Sequence, residues 1–348
     1  MTKILADSHN FGKSVLFKEG HVYKPRPVGL EWLFLSCESP LRKLLSESNI
    51  YAEKCLLNIN FDNPSFRPSL KENRVEYKNA PIISKTLSDR NFLEIGSIIA
   101  MAQWFGLSDL HHENMFIGHK VDGRFVCSPI DIECIFEHHN LPSQSLLVPS
   151  YLIKKEQSGL RSIFKHVNEG SHIACLISGY IDTYVKLNSV SNDIYQLVLS
   201  LSDIKDISSR VILRSTQKYY DLKEGVDNFD LFDEERKQIE NGDIPYFFKF
   251  LDSEDIYYWN TPESFSKVNI SLNDFENLNQ QIITFDKTFF SSDKKDTQLN
   301  LGISQITKYF DLNRAMDYQV SFDSTEISYI GEEFKVRAYD KKLRGIRC

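Results

Sequence analysis

The stretch Asn91–Gly106, NFLEIGSIIAMAQWFG, holds a single charged side chain, Glu94. A helix that is apolar on most of its faces is a buried helix, so the rest of the chain has to wrap around it. Met101 and Trp104 on it read as core. The next stretch is short and polar: GLSDLHHENMFIGHKVDGRFVCSPIDIE, residues Gly106–Glu133. The pattern predicts a loop holding Asp109, His111 and Asn114, a strand Met115–His119, a turn Val121–Arg124 and a strand Phe125–Ile132. Side chains repeat every two residues along a strand, so Asp131 and Glu133 share a face. A loop Asp and Asn set against a strand Asp across a hairpin suits phosphoryl transfer. One carboxylate orients the hydroxyl, while the amide and the second carboxylate hold Mg²⁺ over the phosphates. His111 and His112 are adjacent, so they do not share a helix face as a zinc-binding HExxH pair does.

With 348 residues the chain can bury a large core and divide into two lobes. A net charge of -7 speaks against a general phosphate-backbone binder, so no nucleic-acid partner is expected. No stretch is long and apolar enough to span a bilayer, and MTKILADSHN is not a signal peptide; no membrane partner and a cytoplasmic location are expected. The six cysteines are scattered without a CxxC pair, which gives no zinc spacing and points to reduced thiols, with Cys348 as an exposed thiol.

Before the buried helix, DSHNFGKSVLFKEGHVYKPRP reads as a loop, a strand Ser14–Phe17, a Glu19-Gly20 turn and a strand His21–Lys24. Gly12 ahead of the first strand lets backbone N–H groups cradle a phosphate, and Lys24 reaches the phosphates as a point charge. The same residues also read as a plain polar hairpin with a solvated lysine. Arg26 lies between Pro25 and Pro27, which stiffen the segment and preset its direction; an edge strand with a surface arginine is the other reading. Gly29–Asn49 has helical periodicity, broken by a Ser39-Pro40 helix start. A strand is expected around Cys55–Ile59, a loop with at most one short strand over Asn63–Asn79, a strand at Pro81–Ile83, and a lobe boundary near Ser84–Asp89.

Beyond the hairpin, Leu141–Tyr151 is a Pro-bounded loop with a short apolar strand. Ile163–Lys186 holds two helical segments around Gly170, the second His172–Leu187, and Ile194–Leu201 is another helix. His138, His139, His166 and His172 read as surface residues. In SRVILRSTQKYYDLKE, a β-branched run Val211–Leu213 lies between Arg210 and Arg214, and Ser215-Thr216 starts a helix. Arg210 and Thr216 share a face if the strand persists; a capping threonine and a surface arginine is the alternative. Phe232–Phe250 predicts a charged helix ending at Asn241-Gly242 and then an extended aromatic segment. Helices at Ser271–Thr284 and Leu299–Met316, a strand or hairpin over Glu326–Asp340 and a frayed basic tail Lys341–Cys348 complete the reading.

In this order the motifs resemble the dehydratase domain of class II (LanM-type) lanthipeptide synthetases. DSHNFGK resembles GDxHxxGR, HVYKPRP resembles VYKPRSL, SDLHHENMFIG resembles TDLHxENLIA, and SPIDIECIF resembles LIDLETLF. SQSLLVP, ISGYIDTY, SRVILRSTQKYY and EERKQIENGDIPYF resemble SVLxTxLLP, GFxxxY, RxxxRxTxxY and ExxxLxxGDIPYF. Together they cover residues 7–250, about two-thirds of the chain. The resemblance implies an α+β, kinase-like bilobal fold related to lipid kinases. A small β-rich N-lobe would span residues 1–88 and a larger, mostly helical C-lobe residues 89–348. It implies a peptide dehydratase that phosphorylates Ser or Thr with ATP and Mg²⁺, then eliminates phosphate to leave dehydroalanine or dehydrobutyrine.

By the same resemblance Lys24 binds ATP phosphate, with Gly12 in the loop beside it. Asp109 and His111 act at the hydroxyl and the transferring phosphoryl. Asn114 and Asp131 hold Mg²⁺ at the nucleotide, and Glu133 supports the metal. Arg210 and Thr216 match the Arg and Thr used in elimination, and Arg26 binds the phosphate being expelled. Ala6 replaces the opening glycine of the family loop, and Lys13 replaces its closing arginine. The family's longer N-terminal region and its zinc-dependent cyclase domain have no counterpart in the sequence. A stand-alone dehydratase that closes no thioether rings is therefore expected, acting on a precursor peptide, with leader recognition open to a partner protein. Two other readings stay in play: a kinase that stops at the phosphorylated product, and a non-catalytic nucleotide-binding subunit.

Overall fold

In the computed structural model, residues 3–4, 7–77, 86–150, 154–167, 170–201, 204–226, 229–269, 285, 287–310, 318–322, 325–330, 333–338 and 341–346 are described, with residues 3–4, 77, 204, 292–296 and the last four segments as backbone only. The architecture is mixed helix and sheet. An N-terminal antiparallel sheet is formed by β1 (Lys3–Ile4), β2 (Leu16–Lys18), β3 (His21–Lys24), β4 (Ile59–Phe61) and β5 (Asn73–Tyr77), in the order β1-β2-β3-β5-β4. Between β3 and β4 come three short helices, α1 (Gly29–Leu35), α2 (Pro40–Glu47) and α3 (Tyr51–Cys55). Ser39 caps α2 by accepting from Arg42 N–H, with Pro40 at its first position, as the Ser-Pro pair predicts. The strand expected at Cys55–Ile59 is instead the end of α3 and a strand starting at Ile59. Ala52 and Cys55, three apart, are both buried, which is helical spacing.

The apolar helix is α4 (Asp89–Phe105). Ser88 and Asn91 form a capping box at its start, and Gly106, with φ +60°, closes its end. Met101 and Trp104 are fully buried. Against α4 packs α5 (Gly170–Ser189), with Gly96 on Leu176 O and Gly179 on Leu93 O; a Cβ at either glycine would overlap the facing carbonyl. The two backbones touch because both contact residues lack a side chain. Val28, Phe34, Phe92, Phe105, Ile177 and Phe310 all belong to one buried cluster, so this core runs continuously across residues 88 and 89.

The hairpin β6 (Met115–His119) and β7 (Phe125–Pro129) comes after α4. The first strand has the expected limits. The second stops at Pro129, short of Ile132, because Ile130 N–H turns to Asn114 O and Pro129 ends the ladder. After α5 come α6 (Ser191–Leu201), β8 (Ser208–Val211), α7 (Thr216–Lys223), α8 (Asp233–Glu240), β9 (Phe247–Phe250), β10 (Ile256–Thr261) and β11 (Ser264–Lys267). These strands form an antiparallel sheet ordered β11-β10-β9-β8 over its own small core of Val211, Leu213, Phe247, Ile256 and Tyr258. A long helix α9 (Ser292–Phe310) precedes a meander of β12 (Tyr318–Phe322), β13 (Thr325–Ile330), β14 (Glu333–Ala338) and β15 (Lys341–Ile346).

Several expectations are corrected. Lys341–Ile346 is a paired strand, not a frayed tail. The helical segment before Gly170 is a single turn, Phe164–His166, and the strand expected within Leu141–Tyr151 gives way to a turn at Pro142–Ser145. His139 and His172 are buried, His172 stacked on Phe92 at 4.1 Å. Pro81–Ile83, Ser271–Thr284, Cys348 and the first two residues of the Ser84–Asp89 boundary lie outside the described residues. Among the described residues no helix is long and apolar enough to cross a membrane.

The α4–α5 contact yields a prediction. Gly96→Ala forces the two helices apart and is expected to cost about 1–3 kcal/mol, read as a lower urea midpoint with an unchanged slope.

Candidate active site

The segment after β3 and the segment after β7 meet at one guanidinium. Arg26, held between its two prolines, reaches Glu31 and Asp131 with Nη2 and Glu133 with Nε, at 2.5 Å for the last. Lys24 Nζ, at the end of β3, donates to Glu31 Oε1 (2.9 Å), Asp131 Oδ1 (3.0 Å) and Ile130 O (3.0 Å). Arg210, on β8, donates to Glu133 Oε2 (3.2 Å). Glu31 is fully buried on α1, and Lys24 and Arg26 are nearly so. Three cations and three carboxylates therefore alternate, and each carboxylate is bound by two cations.

The ionisation is set by this pairing. Burial alone would favour neutral Arg26, yet Asp131, Glu133 and Glu31 outweigh it and hold its pKa above the usual range. Burial likewise opposes the charge on Arg210, which Glu133 and Asp109 stabilise. Asp131 is held below the usual carboxylate range by Arg26 and Lys24 in spite of its burial. Glu31 goes the other way: burial raises it more than its two cations lower it.

Asp109 lies in the loop after α4 at φ +61°, a left-handed conformation that Asp tolerates better than most residues. Its loop is fastened on both sides. Ser108 Oγ donates to Glu137 and accepts from His139 Nε2 at 3.1 Å. Asn114 Nδ2 donates to the Asp109 carbonyl at 2.8 Å, and Ile130 N–H to the Asn114 carbonyl at 3.0 Å. His111 accepts from Glu113 N–H at Nδ1 and turns Nε2 to Asp109 Oδ1 at 3.8 Å. Burial raises the Asp109 pKa to about 7, with the Arg210 charge pulling against it and Glu133 and Asp131 adding to it. Burial lowers that of His111.

A second group enters from the N-terminal loop. His9 donates through Nδ1 to Ile244 O at 2.7 Å, because a carbonyl only accepts. Its ring meets Tyr246 at 5.8 Å, and the Arg210 guanidinium lies 5.0 Å from the same Tyr246 ring. Burial and then Arg210 lower the His9 pKa, so near neutral pH the imidazole is uncharged with a basic Nε2.

The structure thus gathers Lys24, Arg26, Asp109, His111, Asn114, Asp131, Glu133 and Arg210. Gly12 is elsewhere: its N–H donates to Asp243 Oδ1 at 3.0 Å, so a carboxylate takes the hydrogen bond expected for a phosphate. Thr216 is the first residue of α7; Ser215 is its cap, accepting from Lys218 N–H. β8 ends at Val211, so strand parity does not relate Thr216 to Arg210. Among the described residues no hydrogen bond joins Thr216 to the cluster. Glu31, His9 and Tyr246 join the site without being expected there from the sequence. Glu31 has a local signal, as the one charged residue in the helix GLEWLFL.

Mg²⁺ takes oxygen ligands, commonly one or two from protein with phosphates and water completing the shell. Asn114, whose Nδ2 is committed and whose Oδ1 is not, and the partly exposed Asp131 fit that set. Glu133 does not fit as a ligand: both its oxygens are in ion pairs with arginines. Among the described residues no three His, Cys, Asp or Glu side chains form a metal cage. No protein-family model matches the chain, and no curated protein matches it.

The electrostatics of the cluster yields two predictions. Arg26→Met leaves three carboxylates short of a cation and is expected to cost about 3–5 kcal/mol in urea unfolding. The Asp109 carboxyl titrates at 3.8 in the unfolded chain and at about 7 in the folded one, so folded protein binds the extra proton between these values. Stability therefore falls as pH rises across that window and the full cost is present above it. Asp109→Asn removes the cost: it is expected to melt higher than the natural chain at about pH 8.5, by the equivalent of roughly 1–3 kcal/mol, and equally near pH 3.5.

Proposed function

We propose that the chain is an ATP-dependent peptide Ser/Thr dehydratase, which phosphorylates the side-chain hydroxyl and then eliminates phosphate. The observation that carries this reading is Glu133 held between Arg26 and Arg210. It joins the phosphoryl-transfer set, Lys24, Asp109, Asn114 and Asp131, to a second cation and a neutral histidine that transfer alone does not require.

In the first step Lys24 steadies the ATP phosphates, its orientation set by Glu31, as a strand lysine paired with a helix glutamate does in kinases. Asp109, poised to accept a proton near neutral pH, takes the proton of the substrate hydroxyl as its oxygen attacks the γ-phosphorus and ADP leaves with the electron pair of the broken bridging P–O bond, with His111 beside it. Mg²⁺, when bound by Asn114 and Asp131, neutralises phosphate charge. In the second step His9 Nε2 takes the proton from Cα. The C–H electrons form the Cα–Cβ double bond, the Cβ–O bond breaks, and inorganic phosphate leaves with that electron pair. Arg26 and Arg210 stabilise the developing charge. A hydroxyl is a poor leaving group and its phosphate ester a good one, which is the reason to phosphorylate first.

A second reading, a kinase that stops at the phosphopeptide, is favoured by Thr216 making no hydrogen bond to the cluster among the described residues. Intact mass of Ser/Thr-containing precursor peptides incubated with the chain and Mg-ATP separates the two. Loss of water is expected from the natural chain, and accumulation of phosphopeptide from Arg210→Ala, with elimination slowed about 100-fold or more. Phosphate gain alone with the natural chain establishes the kinase reading. Asp109→Ala is expected to abolish both products, and unchanged product would remove Asp109 from its role.

A further inference from the structure

Residues Asn10, Phe11 and Gly12 lie in succession in the left-handed region, with φ of 49°, 68° and 74°. Such a turn points consecutive N–H groups at one spot and makes an anion-binding nest. The anion in the nest is Asp243 of the NGDIPYF segment, 2 % exposed. Its Oδ2 accepts from Phe11 N–H at 2.7 Å and its Oδ1 from Gly12 N–H at 3.0 Å. The same two segments are fastened beside it: Ile244 N–H donates to Ser8 O at 2.9 Å, and His9 Nδ1 donates to Ile244 O at 2.7 Å. Tyr220 on α7 donates to Asp7 Oδ1 at 2.6 Å. Residues 7–12 are therefore gripped along their length by residues more than two hundred positions away.

We infer that Asp243 is a positioning residue for elimination: its carboxylate fills the Phe11–Gly12 nest and so fixes the His9 imidazole against Tyr246 and Arg210. The inference rests on the proposed dehydratase reading. Asp243 does not touch the reacting atoms; it acts through the loop that carries His9. Lys24, Asp109, Asn114 and Asp131 are anchored by other contacts, so loosening the nest separates the two half-reactions. Three consecutive left-handed residues, two of them not glycine, are unfavourable by themselves. The reciprocal His9–Lys13 backbone hydrogen bonds, both 2.7 Å, close the turn from within, and the buried carboxylate satisfies the two N–H groups at Phe11 and Gly12.

Two variants test this, from opposite sides of the contact. Asp243→Ala removes the anion. Gly12→Ala adds a methyl group that meets no neighbouring atom but disfavours φ +74°, leaving Asp243 itself intact. The probe for elimination is a synthetic phosphoserine peptide with ADP and Mg²⁺, read by mass as loss of phosphoric acid. Phosphorylation is read on the unmodified peptide with Mg-ATP. Asp243→Ala is expected to slow elimination about 100-fold, the scale of a small misplacement of a reacting group, with phosphorylation held within about 3-fold. Gly12→Ala is expected to shift the partition the same way to a smaller extent. Amide hydrogen exchange at Phe11 and Gly12 is expected to accelerate in both variants. Unchanged elimination in Asp243→Ala, equal loss of both half-reactions in the two variants, or unchanged exchange overturns the inference while leaving the dehydratase reading intact. A natural chain that phosphorylates peptides yet leaves the phosphoserine peptide whole overturns both.

Discussion

The guanidinium of Arg26 is the point on which the site depends. It lies almost out of contact with water beneath three carboxylates that come from α1 and from the segment after β7. A buried cation of this kind is tolerable only when its counter-charges are fixed around it, and each of those carboxylates is tolerable only because a second cation, Lys24 or Arg210, lies on its other side. The charges therefore place one another. Moving any member exposes its neighbours to the full cost of unpaired burial, which keeps the N-terminal sheet, the hairpin loop and β8 in one fixed arrangement.

That arrangement also prepares the proposed chemistry. Three cations held by carboxylates near the Asp109 loop are donors already desolvated and oriented, so a phosphate entering among them meets groups that need little reorganisation. The acid–base groups are set apart by environment rather than by type. Asp109 is lifted to about 7 by burial, while Asp131, also buried, is held ionised by its cations. Two carboxyls in one cluster thus occupy different protonation states at one pH, as a site that must both accept a proton and hold charge requires.

Local pattern makes much of this legible. The 16-residue apolar run foretells α4 and its burial, Ser39-Pro40 marks a helix start, Asn241-Gly242 marks a helix end, and alternation with turn residues gives the limits of β6 and β3. Motifs name the cluster residues Lys24, Arg26, Asp109, Asn114, Asp131, Glu133 and Arg210. The illegible part depends on distance through space. Nothing local says that the N–H groups at Phe11 and Gly12 meet Asp243, so a nest fit for phosphate reads as a phosphate site. Ser215-Thr216 is legible as a helix start, but nothing local fixes the end of β8 at Val211, so whether Thr216 shares a face with Arg210 stays open in the sequence. Glu31 is missed for a different reason: its partners Lys24 and Arg26 are only seven and five positions away, but the sequence does not show that the helix carrying it turns that face back onto them rather than to water.

The grip of residues 8–12 on Asp243 and Ile244 has a temporal side. His9 and Ile244 are 235 positions apart, Arg26 and Asp131 105. At ribosomal rates the Arg26 partners Asp131 and Glu133 are made roughly 5–20 s after Arg26 itself, while the first loop waits roughly 10–50 s for the segment that holds it. A growing chain can therefore bring Lys24, Arg26, Glu31 and Asp131 together before its opening loop has anywhere to dock, while Glu133 gains its second cation only once Arg210 has been made. During that interval the loop lacks the carboxylate and the Ile244 backbone that hold it in the folded protein.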